Sequence, residues 1–120
     1  MKRSSLAKIV PVVVLPEGYS GKIMLLSIVA GKESLLVLRS GGRWHRDILR
    51  NAEAEIRDLG LFDARIDELG GAHLRCEADG SIFIWGRSDE FGSCDHRQAA
   101  ALLKSLWPGR KVAGIFGEMA

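Results

Sequence analysis

Histidine is the side chain that gains and loses a proton near neutral pH, so the three histidines are the first residues to weigh for chemistry. His45 follows Gly41-Gly42-Arg43-Trp44 and opens a stretch with helical spacing. In the first turn of a helix a protonated histidine is disfavoured, because the helix dipole is positive there. The plainer reading is a solvated histidine at a loop-to-helix junction. The second candidate is the polar loop Gly86-Arg87-Ser88-Asp89-Glu90-Phe91-Gly92-Ser93, which runs into another helix N-terminus. Such a loop can aim several backbone N–H groups at one anion, helped by the dipole. The plainer reading is an ordinary strand-to-helix connection, and Asp89 and Glu90 oppose an anion unless their side chains turn outward.

Other chemistries find less support. His73 and Cys76 are three residues apart, which on a strand points them to opposite faces, so no metal site and no cofactor are expected. Asp63, Asp67 and Glu68 read as solvated carboxylates on an exposed strand face. Neither Cys76 nor Cys94 has an arginine six positions on, so a thiol phosphatase loop is missing. Gly31-Lys32 is followed by Glu33, which breaks the pattern of a nucleotide-binding Gly-rich loop. His45-Arg46-Asp47 spells the kinase catalytic triplet, but a kinase is far longer and needs several partner motifs.

The chain that must position these residues has 120 residues, 47% of them hydrophobic and 27% charged, the balance of one ordinary globular domain. Bulk disorder is excluded. A net charge of +2 argues against nucleic acid or an anionic membrane as the partner. Lys2 and Arg3 precede an apolar stretch, yet Pro11 and Pro16 interrupt it and no small-residue cleavage site follows, so it does not read as a signal peptide. The longest uncharged apolar run, residues 23–31, is well short of the roughly 20 residues a membrane helix needs. Two cysteines are no disulfide framework and suit a reducing compartment as structural thiols. The expectation is a soluble, cytoplasmic monomer.

Residues 1–7 read as a basic tail and residues 8–120 as a single domain. Residues 9–14 are β-rich but hold Pro11, so they predict an edge strand at best. The apolar runs at 22–30 and 35–39 do not alternate, which predicts strands covered on both faces. Trp44, Ile48, Ala52 and Ile56 recur every four residues and predict a helix over 44–59, ended by Gly60. Phe62, Ala64 and Ile66 alternate with charged residues, Gly70-Gly71 marks a bulge or bend, and a strand resumes at 72–76. Asp79-Gly80 signals a hairpin turn before a strand at 81–85. A second helix carries Ala99, Leu102, Leu103 and Leu106, with Ser93 as N-cap and Pro108-Gly109 as its stop. Residues 111–116 predict a last strand. The class is therefore α+β: a six-stranded mixed sheet with one helix on each face.

The order of these pieces carries a resemblance. Lys22 stands before an apolar strand; Trp44-His45-Arg46-Asp47-Ile48, Leu69-Gly70-Gly71-Ala72-His73-Leu74 and Ile84-Trp85-Gly86-Arg87-Ser88-Asp89-Glu90-Phe91-Gly92 follow, with His96 beyond. From residue 22 to residue 112 the chain resembles the phosphohistidine phosphatase family, also called the Janus family. The resemblance implies a metal-independent enzyme that hydrolyses the P–N bond of phosphohistidine, and of phospholysine as a second phosphoramidate. It implies His45 as the catalytic residue, either general base or nucleophile. It implies Lys22, Ser88 and the backbone of Glu90 as the phosphate holders, and a phosphohistidine-containing protein or a small phosphoramidate as the partner. The family's arginine after the Gly-rich turn is His73 here, which removes a permanent charge and a bidentate donor. Arg43, Arg46 and Arg87 are the candidates to replace it. Asp47 lies two residues from His45 and on another helix face, so it is not assigned to orient it. The rival reading is a non-catalytic phosphate- or phosphopeptide-binding module on the same fold, and it draws on His73 and the two acids of the loop.

Overall fold

The computed structural model describes residues 5–114. The two apolar runs form adjacent strands, β1 (Gly21–Ala30) and β2 (Glu33–Ser40), joined through Gly31-Lys32. β1 buries Ile23, Met24, Leu25 and Leu26 in succession, as a strand covered on both faces must. β3 (Arg65–Cys76) pairs along the other side of β1, β4 (Ile82–Trp85) pairs antiparallel with β3, and β5 (Val112–Gly114) runs parallel to β4. The mixed five-stranded sheet has the order β2-β1-β3-β4-β5.

Each face has its own apolar layer. Ile48, Ala52 and Ile56 of α2 (His45–Asp58) meet Met24, Leu26, Ile28 and Val37. On the opposite face Ala99, Ala100 and Leu103 of α3 (His96–Leu106) meet Ile23, Leu25, Leu74, Ile82 and Ile84. The alternation of β1 divides its side chains between the two layers.

The α+β class holds, and the element count differs for physical reasons. The strands expected around Gly70-Gly71 are one strand, β3. Met24 pairs with Gly71 and Leu26 with Glu68, so Leu25 faces both Leu69 and Gly70 in a β-bulge. With that stretch one strand and the expected edge strand at 9–14 lost, the sheet has five strands in place of six. Phe62 stands outside β3 in the turn before it, 77% exposed. The basic tail gives way at Ser5 to a short helix, α1 (Ser5–Ile9), because Leu6 and Val10 are one helical turn apart and both bury against α2's layer. That face therefore carries two helices and not one. The edge strand expected over 9–14 reduces to a single parallel bridge, Val13 to Leu38. Residues 1–4 of the expected tail and 115–116 of the expected last strand lie outside the described residues. The N-cap of α3 is Asp95, whose carboxylate accepts from the Arg97 and Gln98 N–H groups at 2.9 and 3.3 Å. Ser93 is occupied elsewhere, donating to the Cys94 carbonyl at 3.0 Å.

Arg39 fastens the N-terminal segment to this frame. It is 4% exposed and grips the Glu55 carboxylate of α2 in a bidentate pair at 2.8 and 2.9 Å. Its remaining donors reach the carbonyls of Leu38 at 2.9 Å and Pro11 at 2.8 Å. One guanidinium thus joins β2, α2 and the segment after α1, and every bond is charge-assisted. Replacing Arg39 by Met should cost about 2–4 kcal/mol, since it strips partners from a half-buried carboxylate and two carbonyls. Urea denaturation of both proteins measures this, and a difference below about 0.5 kcal/mol would refute the role.

Candidate functional site

The start of α2 and the loop after β4 meet at the middle of β3. Trp44 caps α2 with extended backbone, and its N–H donates to the Asp47 carboxylate at 3.1 Å. This is half of a capping box, since an indole has no acceptor to complete it. His45 is therefore the first helical residue and points back onto β3, 6% exposed. Its Nε2 lies 3.0 Å from the Ala72 carbonyl. A carbonyl only accepts, so Nε2 carries the hydrogen, and in the neutral ring Nδ1 then holds the lone pair. Among the described residues Nδ1 has no hydrogen-bond partner.

Gly70 and Gly71 make this approach possible. A Cβ on Gly71 would stand 2.5 Å from His45 Cδ2 and 3.0 Å from Ser88 Cβ. A Cβ on Gly70, whose φ is +109°, would stand 2.6 Å from the backbone at Ser93 and Cys94. The loop after β4 is sutured into the same place. Gly71 N–H donates to the Gly92 carbonyl at 2.9 Å, and Cys94 N–H to the Gly71 carbonyl at 3.1 Å. Ser88 and Gly92 close the loop on itself with reciprocal backbone bonds of 3.1 and 2.9 Å. His96, at the start of α3, holds the Gly86 carbonyl through Nε2 at 2.8 Å.

Within this loop Ser88 is 1% exposed, and its Oγ accepts from the Glu90 and Phe91 N–H groups at 3.3 and 3.1 Å. The Glu90 amide, expected to face a phosphate, is thus turned to the serine. With both lone pairs engaged, the Ser88 hydroxyl has its own hydrogen to give.

These groups line a pocket of about 340 Å³ with Lys22, Trp44, Arg46, His73, Arg87, Asp89 and Glu90. The structure therefore brings Lys22, His45, His73, Arg87, Ser88 and Glu90 together. Arg43 is not among the lining residues; it lies 5.8 Å from the centroid of the Trp44 ring. Lys22, His73 and Trp85 form a cross-strand row, with the His73 ring stacked on Trp85 at 5.6 Å and edge-on to His45 at 5.8 Å. Glu90 is turned to Arg46, which holds its carboxyl below the usual range. Lys22 and Arg87 then stand against one carboxylate, Asp89, which favours an anion in the pocket. Burial first, then the charges of His45 and Lys22, hold His73 below the usual imidazole range, while Asp89 opposes them.

Trp44 was expected in the apolar stripe of α2. It precedes the helix, where a period of 3.6 does not apply, and stands 60% exposed at the pocket rim. The only sequence signal for that position is its place just before a helix-opening histidine. Asp47 serves the Trp44 N–H and not His45. Burial pushes the Cys94 thiol up to about 11, which leaves it protonated and inert.

Two outcomes follow from this geometry. Gly71→Ala should cost about 1–3 kcal/mol by overpacking and displace the His45 ring, read as a changed imidazole nitrogen shift; an unmoved ring would refute the contact. The lowered His73 pKa means that the unfolded chain takes up that proton first. Stability should therefore fall as pH drops below about 6.5, and His73→Gln should lose that share of the decline. Equal slopes in denaturation series from pH 7.5 to 5.5 would clear His73 of it.

The Janus/Ocnus family model matches residues 6–111. The sex-regulated protein janus-A of Drosophila simulans is 31% identical over 111 residues, spanning 90% of this chain and 80% of that protein. Janus-A of Drosophila mauritiana matches at the same 31% and janus-A of Drosophila melanogaster at 29%, over the same shares. With nearly the whole described chain inside the match, this protein belongs to the Janus/Ocnus family.

Proposed function

We propose that this chain is a metal-independent phosphohistidine phosphatase in which His45 is the general base. The observation that carries the reading is the Nε2–Ala72 bond of 3.0 Å, which fixes the tautomer and leaves a bare Nδ1 beside an anion-favouring pocket. Phosphoryl transfer is mostly positioning and charge stabilisation around a loose transition state. Lys22, Arg87 and the Ser88 hydroxyl would supply the positive field and donor. Water attacks phosphorus, and Nδ1 of His45 takes its proton. The P–N bond breaks with its electron pair going to the ring nitrogen, His45 passes the proton on to the leaving imidazole, and histidine and inorganic phosphate result. The substrate is a phosphohistidine-containing protein or a small phosphoramidate, with phospholysine as a second phosphoramidate. No cofactor is called for by this chemistry.

Direct attack by Nδ1 on phosphorus uses the same lone pair and passes through a phosphorylated His45. The binding-module reading rests on Asp89 facing the pocket and on His73, which lacks a permanent charge.

The test is phosphate release from a phosphohistidine peptide with EDTA present, wild type beside His45→Ala. His45→Ala should lower the rate by at least about 10²-fold, the range of general acid–base catalysis. Equal release by both proteins would remove His45 from the mechanism. No release by either, with phosphate still shifting amide signals of residues 86–93, would establish the binding module instead.

A further inference from the structure

Trp44 occupies a position that helix chemistry reserves for other residues. Ser, Thr, Asp and Asn are preferred at an N-cap because their side chains accept from the first-turn N–H groups. The indole cannot do this, and α2 has no side-chain cap from it. Nor does the indole contribute to the core, being 60% exposed. It stands at the rim of the pocket that holds His45, Lys22 and Ser88. Two cations lie over the ring, and it is still mostly exposed. Lys22 Nζ lies 5.7 Å from the ring centroid and Arg43 Cζ 5.8 Å, both near the outer limit of a cation–π contact. An exposed indole beside an anion pocket is a surface suited to a planar group attached to the anion.

Resting on the phosphatase reading above, we infer that Trp44 determines specificity by stacking on the ring that carries the phosphoryl group, so that the site prefers phosphohistidine to phospholysine. A phosphoryl group held by Lys22 and Ser88 leaves its carrier at the rim. An imidazole carrier is flat and aromatic and gains from an indole face. The carrier in phospholysine is a flexible alkyl chain, which gains no aromatic geometry and loses more rotamer freedom on ordering. His45 and Ser88 act on the phosphoryl group common to both substrates, so they do not discriminate between them.

The experiment compares kcat/KM for a phosphohistidine and a phospholysine peptide in wild type, Trp44→Ala and Trp44→Phe. Trp44→Ala should lower the phosphohistidine value by about 3–10-fold and leave the phospholysine value within about two-fold; Trp44→Phe should recover most of the loss. An equal fall on both substrates, or an unchanged ratio, would overturn the inference. A parallel titration of His45→Ala, with and without Trp44→Ala, uses imidazole phosphoramidate and inorganic phosphate as probes. Trp44→Ala should weaken only the phosphoramidate, and equal weakening of both probes would overturn the inference even if wild type hydrolysed neither peptide. Absence of turnover in wild type would count against the phosphatase reading alone.

Discussion

The whole site depends on side chains missing at Gly70 and Gly71. Into the space that two Cβ atoms would fill come the His45 ring, the Ser88 methylene and the backbone at Ser93 and Cys94. Two segments distant in the chain, the start of α2 and the loop after β4, are thereby brought within hydrogen-bonding reach of one short stretch of β3. Backbone bonds from Gly71 to Gly92 and Cys94 then lock the loop in that place. Preorganisation of this kind is what the proposed metal-free phosphoryl chemistry would demand, because donors must already point where charge will sit.

Much of the frame was legible because it rests on burial and periodicity. Runs apolar on both faces could only be central strands, and Ile48, Ala52 and Ile56 could only be the inner face of a helix. His45 and Ser88 were legible through the order of motifs around them. What escaped were features with no period of their own. α1 is a single turn held by Leu6 and Val10, too short to show a stripe. The bulge at Leu69-Gly70 interrupts alternation and so looks like the end of one strand and the start of another. Trp44 shares the four-residue spacing of the helix yet lies outside it. The engagement of the Glu90 amide by Ser88 depends on loop torsions that no spacing encodes.

Charge in the pocket is arranged by pairing more than by composition. Two acids in an anion loop look hostile in sequence, but Glu90 is occupied by Arg46 and only Asp89 remains to face the cations. The bare sheet row Lys22, His73 and Trp85 places a permanent cation, a titrating ring and an indole side by side. Desolvation, helped by the charges of His45 and Lys22, holds the pKa of the middle member below the usual imidazole range. An arriving dianion works in the opposite direction, since a negative neighbour favours the charged imidazole.

The bulge in β3 also bears on how this chain can change over time. Because strand side chains alternate, one extra residue decides which face everything after it occupies. Upstream of the bulge Ile66 packs towards α2, and downstream His73 stands on that same side, with Leu74 buried beneath α3. Were the same residues paired without the bulge, they would exchange, sending His73 into the α3 layer and Leu74 to the pocket. A deletion at Leu69 or Gly70 would take out the extra residue and keep both faces, whereas a side chain added at Gly71 would meet the His45 ring.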